Sequence, residues 1–455
     1  MILFNSYEFI FIFLPIILAG FFYASRVNKN FALLFLLAGS LIFYALNVND
    51  FRFIVLLICS VLVNYFIAGR LKTSGRRLWL IAGIIFNMGV LFGFKCVNIL
   101  PLGISFYTFT QSAYLIEVYR DANNQSSSLL EYANYVTFFP CITSGPIANF
   151  RDIKPQLANI FTPDYDNFAK GITLFFMGLF KKVYIADSLA TASNGIFTNP
   201  EALSFTEAWT GALSYSFQLY FDFSGYSDMA LALGLMLNIK LPVNFDSPYK
   251  STSIIDFWRR WHISLGKWIR DYIYIPLGGS REGEFKKIRN VILAMLFTGI
   301  WHGMGLTFIL WGAVHGVLLA INHQWRRLNI KLPVVIAWPL TFISVIFCWV
   351  IFRAGSLGEA LKILSAMTDV NNIVIPRSLA KYLGFLESWD VKFGDFAGNK
   401  VLLALLIPVV FMSPNTNYFI QKFRANIFWV VIVFALAIAS FMKFSGITDF
   451  LYFQF

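Results

Sequence analysis

Histidine is the side chain suited to taking and returning a proton near neutral pH, and this chain has four of them. His262 stands in "FWRRWHISLGKWIRDYIYIPLGG", among tryptophans and arginines. His302 stands in "TGIWHGMGLTFILWGAVHG". From Asn290 to Gln324 there is no Lys, Arg, Asp or Glu, so His302, His315 and His323 are the only ionisable side chains in that run. A histidine held in an apolar stretch is expensive and is a functional candidate by default. The chemistry it suits is general-base activation of a weak nucleophile such as a hydroxyl. Each histidine also has a structural reading, as a packed ring bonded to a neighbour, and His315 among small residues fits that reading best. His323, beside Gln324 and close to Arg326, reads as interfacial.

Other chemistries lack their patterns. No HxxxH places two histidines on one helix face, no carboxylate stands beside His262 or His302, and no cysteine stands at ligand spacing. A metal is therefore not expected. No GxSxG motif supports a Ser-His-Asp hydrolase. Cys59, Cys96, Cys141 and Cys348 lie in apolar surroundings without CxxC spacing and read as buried small hydrophobes.

The elements that must position these histidines are membrane helices. Apolar residues make up 58% of the chain and charged residues 13%, against about a quarter charged in soluble domains. Runs such as "FALLFLLAGSLIFYAL", "VVIAWPLTFISVIFCWVIF" and "IFWVVIVFALAIASFM" approach the ~20 residues that cross a bilayer as a helix. The fold class is all-α and polytopic, with about eleven or twelve membrane segments expected, some short or re-entrant. Residues 6–23 read as the first span, because the N-terminus lacks a basic region and a cleavage site. The net charge of +12 collects in short loops, which points to positive-inside orientation and not to nucleic acid. That rule places the basic stretch from Lys250 to Arg289 in the cytoplasm and both termini outside. One domain, 1–455, is expected, with 354–398 as an outer-face loop or small cap. Neither an internal repeat nor a low-complexity tract is evident.

Wound as a helix, 258–273 puts Trp258, Trp261, Leu265, Trp268, Ile269, Tyr272 and Ile273 on one face. Arg259, Arg260, Lys267, Arg270 and Asp271 fall on the other. This predicts one helix along the cytoplasmic interface, with its cations toward water and lipid phosphates. Those four cations could also meet the phosphates of a cytosolic donor. His262 is the one ionisable residue on the apolar face. The run 290–324 exceeds one span, so a break is expected near "HGMG", where Gly303 and Gly305 weaken helix. Asp222 and Asp228, in "FDFSGYSDMA", are expected to pair with basic residues of the "RRWH" helix.

These stretches, together with "LPLGISFYTFTQSAYLIEVYR", "FFPCITSGPI" and the tail "FLYFQF", resemble the membrane-bound O-acyltransferases. The likeness is to the bacterial branch of alginate and peptidoglycan O-acetylation, related to the teichoic acid D-alanyl transfer protein. Cys141 departs from the "FFPQ" common in the family, and 354–398 carries no match. The resemblance implies a ring of tilted helices around a thinned core, with a through-tunnel that Trp258, Trp261 and Trp301 would line. It implies His302 as the catalytic histidine and His262 as a second polar site residue. It also implies acetyl-coenzyme A or an acyl-carrier thioester as donor substrate, with no bound cofactor.

The expected setting is the bacterial cytoplasmic (inner) membrane, and the expected acceptor an extracytoplasmic glycan such as peptidoglycan, alginate or another exopolysaccharide. An SGNH-type acyltransferase would be the periplasmic or extracellular partner. Tyr452, in the tail beyond the last span, could relay the acyl group, or the tail could be an aromatic interfacial anchor. The alternatives are D-alanyl transfer to teichoic acid and, from other classes, a transporter or flippase and a non-catalytic export scaffold.

Overall fold

The computed structural model describes residues 2–72, 76–97, 99–121, 127–158, 160–377, 382, 384, 392–394, 400–444, 448 and 450–451. The chain enters through a π-helical turn, Phe9–Phe13, into α1 (Leu14–Val27), then α2 (Lys29–Asn47), α3 (Phe51–Arg70) and α4 (Arg76–Cys96). The middle comprises α5 (Ile104–Arg120), α6 (Leu129–Thr137), short α7 (Phe139–Ile142) and α8 (Phe150–Ile153), α9 (Tyr165–Phe180), α10 (Asp187–Thr198) and α11 (Phe205–Met236). After it come α12 (Ile254–Arg260), α13 (Ile263–Ile269), α14 (Glu284–His302), α15 (Leu306–Arg327) and α16 (Val334–Arg353). The last helices are α17 (Leu357–Ala366), α18 (Lys400–Met412), α19 (Thr416–Gln421) and α20 (Ile427–Met442). The protein is an all-α polytopic membrane protein. Among the described residues, six helical stretches are long and apolar enough to cross a membrane: Phe9–Val27, Lys29–Asn47, Phe51–Arg70, Arg76–Cys96, Leu306–Arg327 and Val334–Arg353. Helix suits that setting because each backbone polar group finds its partner within the segment.

Helix starts are written locally. Asn28 accepts from Phe31 N, and Asp164 from Asp166 N and Asn167 N. Ser128 with Glu131, and Ser204 with Glu207, form reciprocal capping boxes. Along α11 every residue from Ser214 to Gly234 is buried, so this helix is the axis of the core. It packs on α9 through glycine. A methyl group at Gly225 would lie 2.7 Å from Gly178 O, and one at Gly178 would lie 2.6 Å from Gly225 O. Small residues let membrane helices approach this closely.

The "HGMG" break forms as expected. His302 is the last residue of α14, Gly303 is extended, and α15 begins at Leu306. The two helices fold against each other over Gly312, where a methyl group would stand 2.5 Å from Met295 O. Residues 354–377 lie across the start of α11. Trp209 Nε1 donates to Met367 O at 2.9 Å, and Phe205 N to Asn372 O at 2.9 Å. A short parallel pair, Val374–Pro376 with Lys392–Gly394, belongs to the same stretch.

Three expectations are corrected. The interfacial helix 258–273 is not continuous: α12 stops at Arg260, and His262 takes a left-handed conformation (φ 44°, ψ 53°) before α13. Asn244 takes over the local bonding, its O accepting from Ile263 N at 3.0 Å and its Oδ1 from Ser264 N at 3.2 Å. The expected two faces nevertheless hold in outline, with Trp261, Leu265 and Trp268 buried and Arg259, Lys267 and Arg270 exposed. Cys59 and Cys96 are exposed, and not buried as expected, because they sit on the outward faces of α3 and α4; Cys348 is buried and Cys141 half-buried. Finally, Asp222 and Asp228 pair with Lys182 and Lys181, and not with the "RRWH" arginines. A π-helical turn at Lys181–Ala186 aims those lysines at α11.

Candidate active site

His302 is buried at the C-terminal end of α14, ringed edge-on by aromatic side chains. Its ring centroid lies 4.7 Å from Trp301, 5.1 Å from Phe352 and 5.3 Å from Trp311. His262 is buried at the α12–α13 break, 4.8 Å from the Phe223 ring and 6.3 Å from Trp301. Trp301 therefore packs against the rings of both histidines. The left-handed turn at His262 carries its imidazole to that position. Such a conformation costs about 1–2 kcal/mol in a non-glycine residue and persists only where the surroundings hold it, as Asn244 does here.

His315 belongs to the supporting wall. It is fully buried, and its Nδ1 accepts from Trp258 Nε1 at 3.2 Å, so it orients a tryptophan of the site. Trp311 and Trp349 complete the wall, 4.8 Å from the His315 and Trp261 rings respectively. Such walls exclude water, which limits loss of an activated acyl group. Two indole donors of this wall, Trp301 Nε1 and Trp311 Nε1, face no protein acceptor among the described residues. A buried N–H without an acceptor costs stability, which is repaid when a ligand oxygen accepts from it. Histidine 323 is half-buried near the end of α15. Among the described residues no three or more His, Cys, Asp and Glu side chains group so as to hold a metal ion.

Of the four predicted surface cations, three already hold acidic partners. Arg260 Nε bonds Asp256 at 3.0 Å, Arg270 Nε bonds Asp271 at 2.8 Å, and Lys267 lies 3.7 Å from Asp152. Arg259 is exposed and in no ion pair among the described residues.

The family model for membrane-bound O-acyltransferases matches residues 52–357. The chain belongs to the membrane-bound O-acyltransferase family. It is a multi-pass membrane acyltransferase, which sets aside the transport and scaffold alternatives. A peptidoglycan O-acetyltransferase of Helicobacter pylori is 37% identical over 516 aligned positions, covering 100% of this chain and 98% of the relative. A probable alginate O-acetylase of Pseudomonas aeruginosa is 47% identical across 59% of this chain and 52% of its own length. A teichoic acid D-alanyltransferase of Streptococcus thermophilus is 35% identical across 50% of this chain and 57% of its own length. The chain thus spans about half the length of the alginate and teichoic acid relatives, but nearly all of the peptidoglycan one.

Several residues of this acyltransferase escaped the sequence reading. Lys95 is buried and donates from Nζ to the carbonyl oxygens of Trp301 and His302. In "LFGFKCVNIL" it reads as a charge at the edge of a span. Lys182 contacts Asp222 and Asp187 at 2.9 Å each. The signal for it was present: "FKK" interrupts an apolar run, and intramembrane lysines need partners. This cluster also holds Thr448 and Leu451. Leu451 N donates to Asp222 Oδ2 at 3.0 Å, Thr448 Oγ1 to Asp187 Oδ2 at 2.7 Å, and Asn5 Nδ2 to Thr448 O at 3.0 Å. Tyr452 lies outside the described residues.

Proposed function

We propose that this protein carries an acetyl group from a cytoplasmic thioester, acetyl-coenzyme A or an acyl-carrier arm, to a hydroxyl on the far side of the bacterial inner membrane. The final acceptor is an extracytoplasmic polysaccharide, reached with an SGNH-type partner. Both termini lie outside in this reading. The observation that carries it is that His302 and His262 are both buried and both packed against Trp301, walled by tryptophan and phenylalanine. The full-length likeness to a protein named as a peptidoglycan O-acetyltransferase supports acetyl as the acyl group and peptidoglycan as the first acceptor to test. Alginate and other exopolysaccharides follow, supported by the probable alginate O-acetylases.

In this mechanism the acceptor oxygen attacks the thioester carbonyl carbon while His302 takes the hydroxyl proton. The oxyanion that develops is met by donors, for which His262 and the indole N–H groups of Trp301 and Trp311 are the candidates. Collapse breaks the carbon–sulfur bond, the thiolate takes the proton back from His302, and an ester remains. In a relay form, the first hydroxyl is that of Tyr452, next in sequence to Leu451, whose N–H donates to Asp222. D-alanyl transfer to teichoic acid is the second reading, supported by the 35% identity to a protein of that name.

Ester acetate released by mild base from isolated cell wall and from exopolysaccharide tests the proposal. Wild type, deletion and His302→Ala strains are compared at matched expression. Loss of acetate from one glycan in both mutants is expected. No change in either glycan would remove acetyl transfer and leave D-alanyl esters to be measured.

A further inference from the structure

Lys95 sits in the last turn of α4, a helix whose outer face is broadly exposed, yet the residue itself is only 7% exposed. Among the described residues it belongs to no ion pair. Burying an ammonium group costs several kcal/mol after relaxation unless its charge is met. Here the charge is met by backbone. Nζ donates to Trp301 O and, at 3.0 Å, to His302 O, and lies 6.0 Å from the Trp301 ring centroid.

Both carbonyls belong to the broken end of α14. The last four carbonyls of a helix have no donor within the helix, and that end carries partial negative charge. Gly303 N serves Gly299 O at 3.2 Å, and Lys95 serves Trp301 and His302. A neutral side chain could fill the same space, and a glycine cap could close an ordinary helix. A cation held by the very residue that carries the candidate base, and by the tryptophan packed against both histidines, points to a role in the site.

We propose that Lys95 is a positioning residue for acyl transfer, its ammonium fixing the final turn of α14 and thereby the direction in which the His302 imidazole meets the acceptor hydroxyl. This rests on the reading of His302 as the base. Lys95 touches neither donor nor acceptor in this arrangement. Its loss alters the alignment of the base, which appears in turnover and not in donor binding.

The test uses full-length protein in lipid nanodiscs, with release of free coenzyme A from acetyl-coenzyme A as the readout. Wild type and His302→Ala are measured first. If wild type releases no more than His302→Ala, the acyl-transfer reading fails and this proposal falls with it. With that difference in hand, Lys95→Met is expected to lower kcat by about 100-fold, the scale of a ~1 Å misalignment, with KM within about threefold of wild type. Lys95→Arg keeps charge and N–H donors and is expected to restore kcat to within about tenfold, with Lys95→Gln between the two. Faster hydrogen exchange at residues 303–305 in Lys95→Met, with an unchanged melting temperature, gives a readout independent of activity. The proposal is overturned if Lys95→Met keeps kcat within about twofold of wild type. It is equally overturned if Met and Gln lose activity only in step with folded protein and Arg gives no rescue.

Discussion

Lys182 and Asp222 meet at 2.9 Å with both side chains only 2% exposed. The pair joins the π-helical turn after α9 to the middle of α11. Asp222 also accepts from Leu451 N, so one carboxylate ties the core axis to Leu451 beyond the last helix. Removing one partner of a buried pair costs about 3–5 kcal/mol, because the other charge is left uncompensated. Lys182→Met is therefore expected to lower the thermal midpoint of purified protein in detergent. Adding Asp222→Leu to it is expected to recover part of the loss.

The same cluster predicts a change at the C-terminus. In Asp222→Asn the oxygen that serves Leu451 N is weakened and the partner of Lys182 loses its charge. Carboxypeptidase is then expected to trim past Leu451 faster than in wild type, at a temperature where both proteins remain folded. Equal trimming would show that the Thr448 contact to Asp187 suffices to hold the segment.

His262 separates backbone tolerance from chemistry. Asn accepts the left-handed conformation better than Ala does, so His262→Ala is expected to lose about 1 kcal/mol of stability relative to His262→Asn. Both lack the imidazole. If it serves the reaction, both lose coenzyme A release alike, whereas a packing role makes activity follow stability across the two variants.

Trp301 and Trp311 offer indole N–H groups without acceptors among the described residues. Replacing either indole by benzothiophene, which keeps ring shape and removes the donor, is expected to lower kcat by about 100- to 1000-fold if the group meets the oxyanion. A raised KM with unchanged kcat would instead assign the N–H to donor binding.

Gly225 tests the packing of the axis. A methyl group there meets Gly178 O at 2.7 Å, a backbone atom that cannot step aside without moving α9. Gly225→Ala is expected to cost about 1–3 kcal/mol, the range of overpacking, read as a lowered thermal midpoint. Since α9 leads into Lys181 and Lys182, activity should fall at temperatures where the variant is still folded.

Local and compositional features were legible in the chain itself. Apolar runs of membrane length set the all-α polytopic class, and "IFWVVIVFALAIASFM" coincides with α20 residue for residue. The glycines of "HGMG" placed the end of α14 at His302, because helix breaking is a property of neighbours in sequence. Charge-poor surroundings singled out His302, and the motifs around it signalled the family. Other features depended on residues far apart in the chain. The left-handed turn at His262 exists because Asn244 supplies bonds that a continuous helix would have made for itself. The partners of Asp222 and Asp228 come from a π-helical turn, a local winding that the apolar pattern does not reveal. Lys95 reads as a loop-edge charge until folding brings it to α14, 207 positions along the chain. Hydrophobicity and helix breaking act between near neighbours, so sequence determined them. Buried charges and a strained backbone are stable only when distant groups meet them, and tertiary structure alone decided which groups those are.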